Sequence, residues 1–511
     1  MQIIIVNASP PIYDREQQRP LGEVGAPRIL GNSTMGNDPV QRYAERFNRY
    51  TTALRNGKPD CIPIRPFAAE FTATYAGYTC QQVTHDYDLA FRAMRKCASD
   101  FDWDAVPASM VYVWTGLTQA IGLKYYATPG IEISADTAFQ FLEPPEGESF
   151  MRADEYDQLI ADPTGFLMNV WLPRVSRDVC PIGEPVTTRN NLSFLKGGMA
   201  MLAYFSAFPP AIEQLKTECG TVSAIAGIFK SPLDILGDKL RGYMGLTMDL
   251  LERPEVVLEA CKALMPHLLN VALTTADPDK NVPIGFWLHR GGAPFVKLEH
   301  FNTINWPTLK PIIEALWAHG HQTLFYAEGD WDAHLEAFAE LPPGSIQYHV
   351  DRGDILEAHR VLGKKFCISG GIPNALLSYG TPEQITARCK DVIDAVAGDG
   401  GYIMDASAII QNDARVENVR AMTEFTRAYG VYSATGSYSV PPNPGLNPPI
   451  SIADAMARIP VPNLKAGACM PWAEKRKELA PVQGDERILE RVWDNVDTLA
   501  NMYVWQCLLS F

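Results

Sequence analysis

From residue 282 onward the chain repeats one unit, a short apolar run followed by an amphipathic helical stretch, every ~20 to 35 residues. The runs are VPIGFWL (282–288), QTLFYA (322–327), SIQYHV (345–350), KFCIS (365–369) and GGYIM (400–404). Helical spacing follows at 299–319, 331–340, 353–362, 382–397 and 415–429. Such alternation builds a parallel sheet from βαβ units. Three upstream runs, 62–66 (IPIRP), 110–114 (MVYVW) and 223–229 (SAIAGIF), bring the candidate strands to eight. Eight strands, with no glycine-rich nucleotide turn after the first, predict an α/β chain closed into a (β/α)8 TIM barrel rather than an open sheet.

A barrel of this kind does not use all 511 residues. The expected division is an N-terminal extension over 1–41, a barrel over 42–432 with a helical insertion at about 150–220, and a C-terminal extension over 433–511. The first extension is rich in Pro, Gly and Asn, and the last contains the loop-forming SVPPNPGLNPP. Helical spacing over 484–509 predicts a terminal docking helix. A covering lid and a homodimer contact are both open as roles for the ends.

Charge and cysteines narrow the class of function. A net charge of −15 argues against a nucleic-acid partner held by a basic face. The ten cysteines are scattered with no C-x-x-C pair, which reads as reduced, mostly buried thiols rather than a thiolate metal site. The N-terminus lacks the basic region of a secretory signal, and no run of 18 apolar residues suggests a membrane span, so a cytoplasmic enzyme acting on a small molecule is expected.

In a (β/α)8 barrel the chemistry sits at the C-terminal ends of the strands. Ionisable and polar residues stand there at five successive ends: His289 and Arg290, then Glu328 and Asp330, then His349, Asp351 and Arg352, then Ser369, then Asp405 and Ser407. Glu328 and His349, with Asp351 beside them, are candidate catalytic residues. A Glu and a His from adjacent strands also form a mixed N/O donor set for zinc with an open position. His289 and Arg290 are candidate substrate-binding residues, Arg290 through a bidentate bond to a carboxylate. Asp405 is a candidate for holding a substrate hydroxyl, and Tyr326 and Trp114 are candidate aromatic walls.

The segments CISGGIPNALLSYGTPEQI (367–385) and GGYIMDASAIIQNDARVENVRAMTEFTRAYG (400–430) resemble the C-terminal half of the uroporphyrinogen decarboxylase superfamily. SPLDILGDKLRGYMGLTMDLLERPE (231–255) and RPFAAEFTATYAGYT (65–79) extend the resemblance over about 42–432. The resemblance implies a (β/α)8 barrel. The arginine-rich motif of the porphyrinogen decarboxylases reads RPFAAEF here, and Val113 or Trp114 stands where their aspartate would be, which argues against that substrate. The His-x-Cys zinc pair of the thiol-methylating branch is replaced by Tyr326-Ala327-Glu328.

The chain is most similar to the methyltransferase component of corrinoid-dependent O-demethylases. That branch implies zinc held by Glu328 and His349, with Glu314 a further candidate one residue short of the pattern. It also implies a corrinoid carried by a separate partner protein. A Lewis acid on an ether oxygen would stabilise the leaving alkoxide while the methyl group moves to cobalt. The expectation is therefore methyl transfer from a methoxylated, aromatic small molecule. The alternative is a cofactor-free decarboxylase or lyase acting on a small carboxylate, and a third class is a non-catalytic binding barrel.

Overall fold

The computed structural model describes residues 38–107, 119, 121–145, 147–407, 409–432 and 450–509. Its strands are β1 (Ala105–Val106), β2 (Tyr126–Ala127), β3 (Gln140–Phe141), β4 (Val222–Ser223), β5 (Ile228–Lys230), β6 (Ile284–Leu288), β7 (Thr323–Ala327), β8 (Ile346–Val350), β9 (Cys367–Gly370) and β10 (Tyr402–Ile403). A six-stranded parallel sheet runs β5-β6-β7-β8-β9-β10.

Hydrogen bonds beyond that sheet close the barrel. Parallel bridges join Ile64 to Met404 and Ala68 to Ile410, so the extended segment 62–68 lies beside β10. On its other side the Ile64 carbonyl accepts from the amides of Asp104 and Ala105. β1 pairs in parallel with β4, and β4 and β5 are two halves of one interrupted strand whose second half pairs with β6. The circuit thus has eight positions, and the (β/α)8 barrel is the architecture of the chain.

The second barrel position is formed differently from the sequence expectation. The strand expected at 110–114 lies outside the described residues, and the second barrel position is taken by β1 just upstream. Between β1 and β4, the described residues 121–145 and 147–221 contain no strand of the barrel circuit. They contain the antiparallel pair β2–β3 as well as helices, among them the long helix Thr188–Gln214.

Large apolar side chains fill the barrel. Phe67, Trp287, Leu324, Tyr326 and Ile403 share one buried cluster. Burying each such side chain contributes ~1.5–3 kcal/mol. The helix Pro254–Thr275 is apolar enough by composition to cross a membrane, yet 61% of its most apolar window is buried and it packs against the helices Tyr156–Ala161 and Trp306–Ala318. His267 of that helix stacks on Trp505 at 5.1 Å, which docks the terminal helix Glu486–Leu509. All ten cysteines are free thiols, most of them buried.

Candidate active site

Strand register places the functional side chains. Lys230 pairs with Trp287, Trp287 with Tyr326, Tyr326 with His349 and His349 with Ser369. These residues form one row across β5 to β9, and all are buried inside the barrel. Side chains alternate along a strand, so residues two positions further on point the same way, one layer nearer the C-terminal mouth. His289, Glu328 and Asp351 occupy that upper layer.

The lower row is a sealed interior. Tyr326 stacks between Trp287 at 4.7 Å and His349 at 4.4 Å. Nε2 of His349 lies 2.7 Å from the carbonyl oxygen of Ser407, to which it must donate, so Nδ1 accepts from the Ser369 hydroxyl at 2.8 Å. Both ring nitrogens are therefore engaged. Burial and the nearby Arg65 charge hold the imidazole well below its ordinary pKa, in the neutral form. Arg65 itself is buried, bonded to Asp405 at 2.9 Å, to Ser369 at 2.9 Å and to Gln347 at 3.1 Å. Asp405 also accepts from the Phe67 amide at 3.2 Å, and burial pushes its carboxyl up to about 7 against the pull of Arg65.

This geometry bears on the zinc expectation. The structure does not bring Glu328 and His349 together as ligands, because His349 has no free nitrogen and the Glu328 carboxylate turns to His289. Glu314 lies on the helix Trp306–Ala318, where it is ion-paired with Arg458 of the C-terminal extension. Among the described residues no group of three or more His, Cys, Asp or Glu is arranged to hold a metal ion. The residues named for zinc do not fit it. Trp114 lies outside the described residues.

The mouth is where charges converge. Asp238 Oδ2 accepts from Lys230 Nζ at 2.8 Å and from His289 Nδ1 at 2.9 Å, while its Oδ1 lies 3.4 Å from Arg290 Nε. Burial alone would raise Asp238, but Lys230, His289 and Arg290 outweigh it and hold its carboxyl below the usual range. On the far side of the imidazole, Nε2 of His289 is 3.3 Å from Glu328 Oε2, and the Glu328 side chain remains 49% exposed. His289 thus has a buried carboxylate behind it and a solvent-facing carboxylate before it.

Neighbouring groups fix this arrangement. Asp234 accepts from the Arg290 amide at 2.7 Å and the His289 amide at 3.4 Å, and burial together with the Asp238 charge raises its pKa. Asp351 Oδ2 accepts from the Gly329 amide at 2.7 Å, and burial lifts its carboxyl to about 6. Gly329 presents that amide from φ +100°, a backbone conformation that side chains disfavour.

Lys230, Asp234 and Asp238 were not among the sequence candidates. A signal existed: SPLDILGDK directly follows a strand, and aspartates four apart share one helix face. Residues 236–240 form a π-helical turn, which widens the helix where Asp238 meets His289.

A closed eight-stranded barrel with an acid–base cluster at the C-terminal mouth defines an enzyme-type α/β scaffold. Within it, the family model for uroporphyrinogen decarboxylase (URO-D) matches residues 173–429, and the chain belongs to that family. Among solved structures it is similar to a methyltransferase from Methanosarcina mazei, at 14% identity over 75% of this chain and 98% of that one, with a TM-score of 0.48. It is also similar to a B12-independent methionine synthase from Shewanella sp. W3-18-1 in complex with selenomethionine, at 10% identity over 72% and 98%, with a TM-score of 0.27. At these identities and scores neither likeness bears on activity. Among curated proteins no sequence matches the chain.

Proposed function

We propose that this URO-D family member is a methyltransferase that moves a methyl group from a methoxylated small molecule, with His289 as the proton donor to the departing oxygen. The observation that carries the reading is the position of His289 between Asp238 and Glu328 at the mouth. An ether oxygen is a poor leaving group, and its departure needs a Lewis acid or a proton. The zinc donors do not fit, whereas an imidazole backed by a buried carboxylate can supply the proton. As the methyl carbon–oxygen bond breaks, the electron pair stays on oxygen and the His289 proton joins it. The methyl acceptor in this reading is a reduced corrinoid carried by a separate protein, which acts as the second substrate.

Arg65, on the extended segment 62–68, favours this over porphyrinogen chemistry. Arg65 is fully buried and bonded within the barrel, so it does not face the mouth to bind propionates. A second reading, a cofactor-free decarboxylase or lyase, is favoured by Arg290, which lies beside His289 and suits a substrate carboxylate. In that reaction the same proton goes to carbon after carbon dioxide leaves.

One assay separates the two. The protein is incubated with methoxybenzoates, with and without a reduced corrinoid protein, and products are followed by mass spectrometry. Methyl transfer yields the phenol only with the acceptor present. Loss of the carboxyl group without an acceptor supports the lyase, and no acceptor-dependent phenol from any donor sinks the methyltransferase.

A further inference from the structure

Arg290 is held by two carboxylates that differ in kind. Asp238, on the inner side, is buried and belongs to the His289 cluster. Glu143, on the outer side, follows the β2–β3 pair of the insertion and binds Arg290 Nη1 at 2.7 Å. The other Glu143 oxygen accepts from the Tyr243 amide at the start of the helix Gly242–Glu252. Gly242 makes room for it: a Cβ there would lie 2.9 Å from Glu143 Oε1.

Aromatic rings lie beside the Arg290 partner of this carboxylate. The Arg290 guanidinium lies 5.6 Å from the Phe141 ring and 5.9 Å from the Tyr243 ring, and Tyr243 meets Phe295 edge-on at 5.3 Å. A planar cation and an amide, set between rings and beside the reacting histidine, suit a flat carboxylate. We propose that Glu143 is a built-in occupant of an anion site formed by Arg290 and the Tyr243 amide, and that a small aromatic carboxylate displaces it when it binds.

The exchange is energetically open. An ion pair as exposed as Glu143–Arg290 contributes little net stability, because water screens it. The ligand's carboxylate replaces the bond that Glu143 gives up, and its ring adds apolar contact. The hairpin need not detach, since Lys239 anchors it separately by donating to the Tyr126 hydroxyl at 2.9 Å and lying 4.8 Å from that ring and 5.3 Å from Phe141. Only its outer edge moves.

The inference rests on the reading of His289 as the reacting residue, since the site places its ligand there. Binding can nonetheless be tested without turnover. Benzoate affinity is measured by calorimetry for wild type, Glu143→Gln, Arg290→Lys and Arg290→Ala, with benzamide as the uncharged control. Glu143→Gln is expected to bind benzoate ~10-fold more tightly, because the internal competitor loses its charge. Arg290→Ala loses benzoate binding, Arg290→Lys retains part of it, and benzamide affinity does not respond to Glu143. Unchanged or weaker benzoate binding in Glu143→Gln overturns the proposal, as does undiminished binding in Arg290→Ala or no binding to any variant. His289→Gln separates the two ideas: if its benzoate affinity matches wild type while wild type turns over no donor, the anion site stands and the methyl-transfer reading falls.

Discussion

The carboxylate of Asp238 holds Nδ1 of His289 at 2.9 Å and thereby fixes which ring nitrogen faces the mouth. A second donor, Lys230 Nζ, reaches the same oxygen at 2.8 Å, so removing the carboxylate disturbs two buried partners. Asp238→Asn should slow turnover ~10²- to 10³-fold by losing the preferred tautomer and orientation of His289. It should also cost ~3 kcal/mol of stability, because Lys230 stays buried with its counter-charge removed. Steady-state kinetics and urea denaturation check the two effects separately.

His349 should behave as a structural residue. Its ring bridges the Ser369 hydroxyl and the Ser407 carbonyl and stacks on Tyr326. His349→Ala is expected to lower stability by ~2–4 kcal/mol, from lost packing and an orphaned carbonyl. Metal content by elemental analysis should equal that of wild type. Loss of bound zinc in this variant would restore the ligand assignment.

Glu328 offers the contrasting case. Its side chain is half-exposed, and its contact is with His289 Nε2. Glu328→Gln should change stability by less than ~0.5 kcal/mol, as surface substitutions do. Turnover should fall ~10-fold or more, because the carboxylate no longer orients the proton-donating face. A kinetically silent Glu328→Gln would remove Glu328 from the mechanism.

Glu70, just past the extended segment 62–68, is fully buried with both carboxylate oxygens unpartnered, and burial pushes its pKa up to about 7. Its folded pKa lies above the unfolded value, so the folded state binds the extra proton between ~4.5 and 7 and stability falls as pH rises through that window. Glu70→Gln should therefore be ~3 kcal/mol more stable than wild type at pH 8. The gap should close at pH 4.5. Chemical denaturation at the two pH values measures it, and an equal gap at both would show that Glu70 does not titrate.

Much of the barrel was legible because runs such as VPIGFWL and SIQYHV are strand-length and are followed directly by ionisable residues. The second position was not, since β1 pairs through only two residues while the more apolar MVYVW lies downstream. At the site, His289 and Glu328 were visible as residues standing just past a strand. The depth of His349 was not legible: it is the fourth residue of β8, one layer deeper than Asp351, and its partners come from β9 and from beyond β10. Such depth depends on strand register, which a one-dimensional pattern does not carry. Lys230 was missed for the same reason: a lysine ending an apolar run reads as solvent-facing until Asp238 is folded against it. Glu143 reaches Arg290 from 147 residues away, and no local pattern marks that contact.

The dependence of rate on the leaving group shows whether His289 protonates the departing oxygen. Methoxybenzoates whose phenols span a wide acidity range are demethylated by wild type and by His289→Gln with a reduced corrinoid acceptor. If His289 protonates the departing oxygen, the wild-type rate depends weakly on phenol acidity, and the variant is slowed ~10²- to 10⁴-fold for the poorest leaving groups and far less for the best. Parallel lines for the two proteins, with the same slowing for every donor, would show that His289 is not the proton donor.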